Sequence, residues 1–205
     1  MDFCMLFSMQ RPAEDQKLLQ IMDASFASAA ERAGDWLVCH AGCTQCCHGA
    51  FAIDALDVAR LREGLAELRK SDPPRAAAVE ERSRQWIARN AADFPGNAET
   101  GALGASEEEA ERFEEFANEE ACPALDPTTG RCDLYAWRPM TCRIFGPPVA
   151  VEGGFACCEL CFAGASEEEI AACAMQVPHV QEEELAAGLG EAIETIVAYA
   201  LAQRG

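Results

Sequence analysis

Four cysteines stand within nine residues in the stretch Cys39-His-Ala-Gly-Cys43-Thr-Gln-Cys46-Cys47. Cys43-x-x-Cys46 lets two thiolates reach one metal from a single tight turn, and Gly42 beside it supplies backbone free of Cβ strain. A second set, Cys122, Cys132 and Cys142, and a third, Cys157, Cys158 and Cys161, follow after more than seventy residues without a cysteine. Thiolates are soft ligands that select zinc or iron–sulfur clusters over magnesium or calcium. One quartet makes a tetrahedral zinc site or holds a cubane through four sulfurs. Ten cysteines lie between Cys39 and Cys161 inclusive, so either two metal sites exist or several thiols are spectators.

The adjacent pairs sharpen this. Neighbouring side chains point in different directions, and a vicinal disulfide is strained, so Cys46 and Cys47 are poorly placed to serve one ion together. One of them is expected at a metal and the other as a small buried hydrophobe or at a second site. The same question arises at Cys157 and Cys158, and spacing does not choose among Cys157, Cys158 and Cys161. His40 and His48 flank the first set and could give a mixed sulfur–nitrogen zinc site. With so many thiols present they are expected to be bystanders, and His179 is remote from every set. Arg131, Arg138 and Arg143 crowd the second set, where guanidinium groups would offset thiolate charge and donate to sulfur; Arg143 and Arg138 are the expected supporting residues. Cys4 has no partner motif, and Cys173 is expected to pack in the core.

Composition narrows the classes. The chain has 205 residues, enough for one domain with a real core, so disulfides are not needed merely to fold. With 35 acidic and 16 basic side chains, the formal charge is −19. Such a field repels phosphate backbones and anionic lipid, so neither nucleic acid nor membrane is an expected partner. The first nine residues are apolar but lack a positive leader and a long enough apolar run for a signal peptide. No stretch is long enough to span a bilayer. A reducing cytoplasm is therefore expected, where clustered cysteines serve as metal ligands rather than structural disulfides. A thiol–disulfide enzyme fits less well, because its Cys-x-x-Cys opens a helix, and here the helix signal begins seven residues after Cys47.

The elements that must position these thiols are helical. Pro12 opens a helix over residues 12–33 with Gly34 as its stop and Leu18, Met22, Phe26 and Ala29 on one face. Asp54 caps a second helix carrying Val58, Leu61, Leu65 and Leu68. A third spans residues 74–92 with Val79, Trp86 and Ile87. Glycines and Pro95 mark a loop over residues 94–104. Ser106 with Glu109 is a capping box for a fourth helix that turns Ala110, Phe113 and Phe116 inward, and Ser166 with Glu169 caps another. Leu185, Leu189, Ala192, Ile196 and Tyr199 predict a last helix over residues 182–203, packed on its own domain rather than in a dimer seam. Residues 122–156 read as irregular backbone with one short hairpin at 149–155. The expected fold is mainly α. It is a single domain over residues 1–205, with a loop-rich metal-binding core at 39–62 and 120–162 on a helical scaffold.

The motifs Cys43-Thr-Gln-Cys46-Cys47, Cys122-Pro-Ala-Leu and Gly130-Arg-Cys132-Asp-Leu-Tyr135-Ala-Trp-Arg138-Pro139-Met-Thr-Cys142-Arg143-Ile-Phe145 resemble the bacterial CxxCxxCC (YkgJ-type) cysteine-cluster family, a zinc- or iron-chelating domain. The resemblance covers about fifty residues. It implies eight chelating cysteines. Seven would be Cys39, Cys43, Cys46, Cys47, Cys122, Cys132 and Cys142, and Cys158 or Cys161 would be the eighth. The first gap, Cys39 to Cys43, is three residues where the family name implies two. The family also includes flagellin lysine N-methylases, so a methylase using S-adenosylmethionine is one implied alternative, although no nucleotide-binding glycine motif is present. The leading expectation is iron, as a 4Fe–4S cluster with a redox or electron-transfer role. The alternative is zinc in a binding module without chemistry. No general acid, base or nucleophile stands out, and a protein partner is left open.

Overall fold

A computed structural model describes residues 11–190 and 194–202, so Cys4 and Ala192 lie outside the described residues. Among the described residues are eight α-helices and three two-stranded antiparallel hairpins, with no closed sheet. The chain divides into two compact units. One is Cys47–Pro139 with Arg11 and the described residues from Ala186 on; the other is Pro12–Cys46 with Met140–Leu185. No helix among the described residues is long and apolar enough to cross a membrane.

In the first unit, α2 (Ala55–Ser71) starts where the Asp54 carboxylate accepts the Asp57 N–H at 2.9 Å. The cap satisfies a donor that the first turn would otherwise leave bare. α3 (Pro73–Asn90) opens on prolines whose missing N–H costs nothing there, with Asp72 accepting from the Arg75 N–H. Val58, Leu61 and Leu65 of α2 meet Ala76 and Val79 of α3 and Val197, Ala200 and Leu201 of α8 (Val197–Ala202). Each valine or leucine among them contributes roughly 1.5–3 kcal/mol on burial. A second apolar group sets Phe116 edge-on against Trp86 and Phe94, with Phe94 also against Tyr199.

The loop expected at 94–104 closes as a small hairpin, β1 (Gly96–Asn97) with β2 (Ala102–Leu103). α4 (Glu107–Glu114) carries the expected capping box, both halves formed between Ser106 and Glu109. Ser106→Ala should therefore cost about 1 kcal/mol, readable as a shift in the urea midpoint at unchanged slope. α4 has only eight residues, too short to keep all three predicted positions inward. Ala110 is exposed, Phe113 half-buried, and Phe116 enters the core from the turn after the helix. β3 (Leu125–Asp126) pairs with β4 (Arg131–Cys132) across a turn in which Asp126 accepts from the Thr128 N–H and the Thr129 hydroxyl.

In the second unit, α1 (Ala13–Ala33) runs from Pro12 to Gly34. Its buried Leu18, Met22 and Ala29 pack with Met140 of α5 (Met140–Ile144) and with Met175. The hairpin expected at 149–155 is present as β5 (Val149–Val151) with β6 (Gly154–Ala156). α6 (Glu167–Ala172) carries the second capping box, Ser166 with Glu169.

The predicted final helix is broken. α7 (His179–Ala187) ends before Gly188, Gly190 takes a positive φ of 125°, and Thr195 forms a bridge with Ile53 before α8 begins. The apolar spacing runs on through the break, but its residues serve different cores. Leu185 packs with the α1 group, whereas Ile196 and Tyr199 pack with Trp86 and Phe94.

Candidate metal centre

The second unit brings Cys39 and Cys43 of the first cysteine set to the third set by ordinary backbone chemistry. After α1, a 3₁₀ turn at Gly34–Trp36 delivers the apolar lead Trp36-Leu37-Val38. The Phe162 N–H donates to the Trp36 carbonyl at 3.0 Å, and the Trp36 and Phe162 rings stack at 6.5 Å. That clasp sets Cys39 beside Cys161, with the two sulfurs 3.9 Å apart. Cys43 donates its N–H to the His40 carbonyl in a turn through Gly42, whose φ is 92°. Cys161 donates its N–H to the Cys158 carbonyl at 2.9 Å, folding the third set into a second tight turn. Gln45 reaches Glu159 at 2.6 Å and ties the two turns together.

Four thiols result: Cys39, Cys43, Cys158 and Cys161. Cys158 and Cys161 are buried at 3 % and 4 % exposure, Cys43 is half-buried, and Cys39 and Cys157 are exposed. The Cys161 thiol is the hub, its sulfur against that of Cys39 and close enough to Cys158 and Cys157 to disfavour their charge. Burial, then the neighbouring Cys161, Cys158 and Cys43, push the Cys39 thiol up to about 12. Cys158 is raised by burial and by Cys161 and Cys43, offset in part by a backbone N–H from Leu160. Several thiolates gathered without a cation repel one another, which is the cost a bound dication removes. Among the described residues, no three His, Cys, Asp or Glu side chains already stand as a finished coordination shell. The Cys39 and Cys161 sulfurs are in contact, but the set is not closed on a point. Their donor chemistry nonetheless fits zinc or iron, since all four are soft thiols.

A separate thiol group forms in the first unit. The Cys122 N–H donates to the Cys47 carbonyl at 2.7 Å, and His48 bridges Ala121, so the two stretches pair like short strands. Cys132 pairs through Leu125 on the β3–β4 ladder and adds to the repulsion that, after burial, holds the Cys122 thiol at about 12. Arg82 opposes that rise. Its Nε donates to the Pro123 carbonyl at 2.8 Å and its Nη2 to the Asp133 carboxylate at 2.6 Å, so one guanidinium holds the residues next to Cys122 and Cys132. Arg75 pairs with the other oxygen of Asp133.

The remaining predicted residues stand as follows. Cys46 and Cys47 share a 3₁₀ turn, and the division between the units falls between them. Cys142 is half-buried on α5. Arg143, next to it, is buried and donates to Asp23 at 2.8 Å. Arg138 donates to the Tyr135 carbonyl and lies 3.7 Å over that ring. Arg131 is exposed on β4 opposite Asp126. His40 Nδ1 sits against the Ala41 carbonyl, and His179 is exposed. Cys173 is buried beside Cys158, Cys161 and Phe162, as core packing predicts.

A family model described as "CxxCxxCC: Putative zinc- or iron-chelating domain" matches residues 38–161, more than half of the chain. The chain belongs to the CxxCxxCC family. The matched span of this CxxCxxCC domain begins one residue before Cys39 and ends on Cys161, the two sulfurs found in contact. Its clustered cysteines are thus those of a zinc- or iron-chelating domain. No curated protein and no solved structure matches the chain. Arg82, Asp133, Gly146 and the Gln45–Glu159 tie were not found by sequence reasoning. Asp133, Gln45 and Glu159 carried a signal there only by standing next to Cys132, Cys46 and Cys158.

Proposed function

We propose that this CxxCxxCC domain is a metal-binding module that holds one zinc or iron ion through Cys39, Cys43, Cys158 and Cys161. The 3.9 Å sulfur–sulfur distance between Cys39 and Cys161 carries the reading. A tetrahedral site with metal–sulfur bonds of about 2.3 Å sets its sulfurs about 3.8 Å apart. In a cubane each cysteine bonds a different corner iron, and the sulfurs stand much farther apart. The ion would supply structural cross-linking of two distant stretches. The protein's own part is to hold the thiols in two turns and to keep Cys158 and Cys161 out of water.

A second reading, a 4Fe–4S cluster with a redox or electron-transfer role, is supported by the surplus of thiols beyond the four that one ion needs. Either centre needs reduced thiols, which suits the cytoplasm.

Protein purified without oxygen decides between them by zinc, iron and acid-labile sulfide content. The quartet reading expects zinc or iron without sulfide, and one equivalent fewer in Cys39→Ser. Iron with matching sulfide selects the cluster. Metal-free protein that takes up neither zinc nor iron on reconstitution would defeat both.

A further inference from the structure

We propose that Gly146 sets the position of the Cys39 sulfur, an inference that rests on the quartet reading above. Gly146 is buried just after α5, at a φ of 127° that side chains rarely adopt. Two features of this one residue meet the quartet. Its carbonyl accepts the Cys158 N–H at 3.3 Å. Its bare Cα faces Cys39, such that a Cβ there would stand 3.2 Å from the Cys39 sulfur, 3.5 Å from Leu37 Cδ1 and 3.9 Å from Phe26 Cε2.

Leu37 and Phe26 stand at ordinary contact distance, so the tight contact of an added methyl is with the sulfur, which would have to give by a few tenths of an ångström. That displacement matters because a usable metal site holds its ligand distances to within about 0.2 Å. Gly146 thus fixes the backbone of one ligand and leaves room for the sulfur of another. Glycine is required at this position by the contact as well as by the backbone angle. Gly153, at a positive φ of 83° in the β5–β6 turn with nothing within 4 Å, has the angle without the contact.

The experiment titrates Co²⁺ under anaerobic conditions into metal-free wild type, Cys161→Ser, Gly146→Ala and Gly153→Ala, and reads the sulfur-to-cobalt charge-transfer band. Gly146→Ala should bind cobalt about 10–100-fold more weakly, in the range of a lost supporting contact around a metal, with an altered band. Gly153→Ala should match wild type. Wild type and Cys161→Ser giving the same titration would sink the quartet reading itself. Cys161→Ser losing the band while Gly146→Ala keeps wild-type affinity and spectrum would sink only the role of Gly146.

A thermal-melting cycle with Cys39→Ala, Gly146→Ala and the double variant covers the case in which Gly146→Ala does not fold. Backbone strain cancels in such a cycle, and only the contact remains. Recovery of melting temperature or folding in the double variant is the expected result. An equal loss in both backgrounds would overturn the proposal.

Discussion

Cys161→Ser should weaken metal binding by the quartet by on the order of a hundredfold or more, and Cys157→Ser should leave it intact. The two positions are four residues apart, and sequence spacing alone offers either as a ligand. Cys161 is buried, its sulfur 3.9 Å from that of Cys39, and it is held in its turn by its own N–H on the Cys158 carbonyl. Cys157 is exposed and outside that turn. Tetrathiolate zinc contributes about 10–16 kcal/mol at neutral pH, or roughly 3 kcal/mol per thiolate. A hydroxyl recovers little of this, so Cys161→Ser should weaken binding by on the order of a hundredfold or more. Competition titration against a chromophoric chelator measures both variants. Equal affinities would remove Cys161 from the site.

The second large effect is predicted in the other unit. Arg82→Met should lower unfolding free energy by about 3 kcal/mol, from one charge-assisted hydrogen bond and one to a carbonyl. The Asp133 side chain is 1 % exposed and loses half of its pairing, while the Pro123 carbonyl loses its donor. Methionine keeps most of the apolar stem, so the loss reports the guanidinium rather than packing. Arg75→Met should cost distinctly less, because Arg75 is 44 % exposed and gives up one partner. Urea unfolding of both variants checks the order. Equal losses would show that Arg82 is an ordinary surface arginine.

What could be read along the chain was local chemistry. α1 between Pro12 and Gly34, the Asp54 cap and both Ser–Glu capping boxes depend on residues within one or two turns of each other, and the structure has them where expected. The hairpin at 149–155 was legible for the same reason. The broken C-terminal helix was not, because the apolar spacing crosses Gly188 and Gly190 unchanged, and pairing of Thr195 with a strand-like residue 142 positions earlier decides the matter. In the site, the cysteines announced themselves by type. Which of them share a neighbourhood did not, since burial separates Cys157 from Cys158 and Cys161. Arg82 and Asp133 lie 51 residues apart, with nothing in the spacing to pair them. The arginines that stood out in the sequence did so by adjacency to Cys142, which says nothing about where their side chains go.

Neither unit is continuous in the chain, and Cys39 and Cys161 are 122 positions apart. At ribosomal rates of about 5–20 residues per second, Cys39 is synthesised on the order of ten seconds before Cys161 exists. During that interval the nascent Cys39–Cys47 stretch can offer an ion only its own few thiolates, without the pair that shields them. Closing so long a loop is also entropically slow. Full loading of the proposed quartet would therefore belong to the completed polypeptide, with the early thiols kept reduced until then.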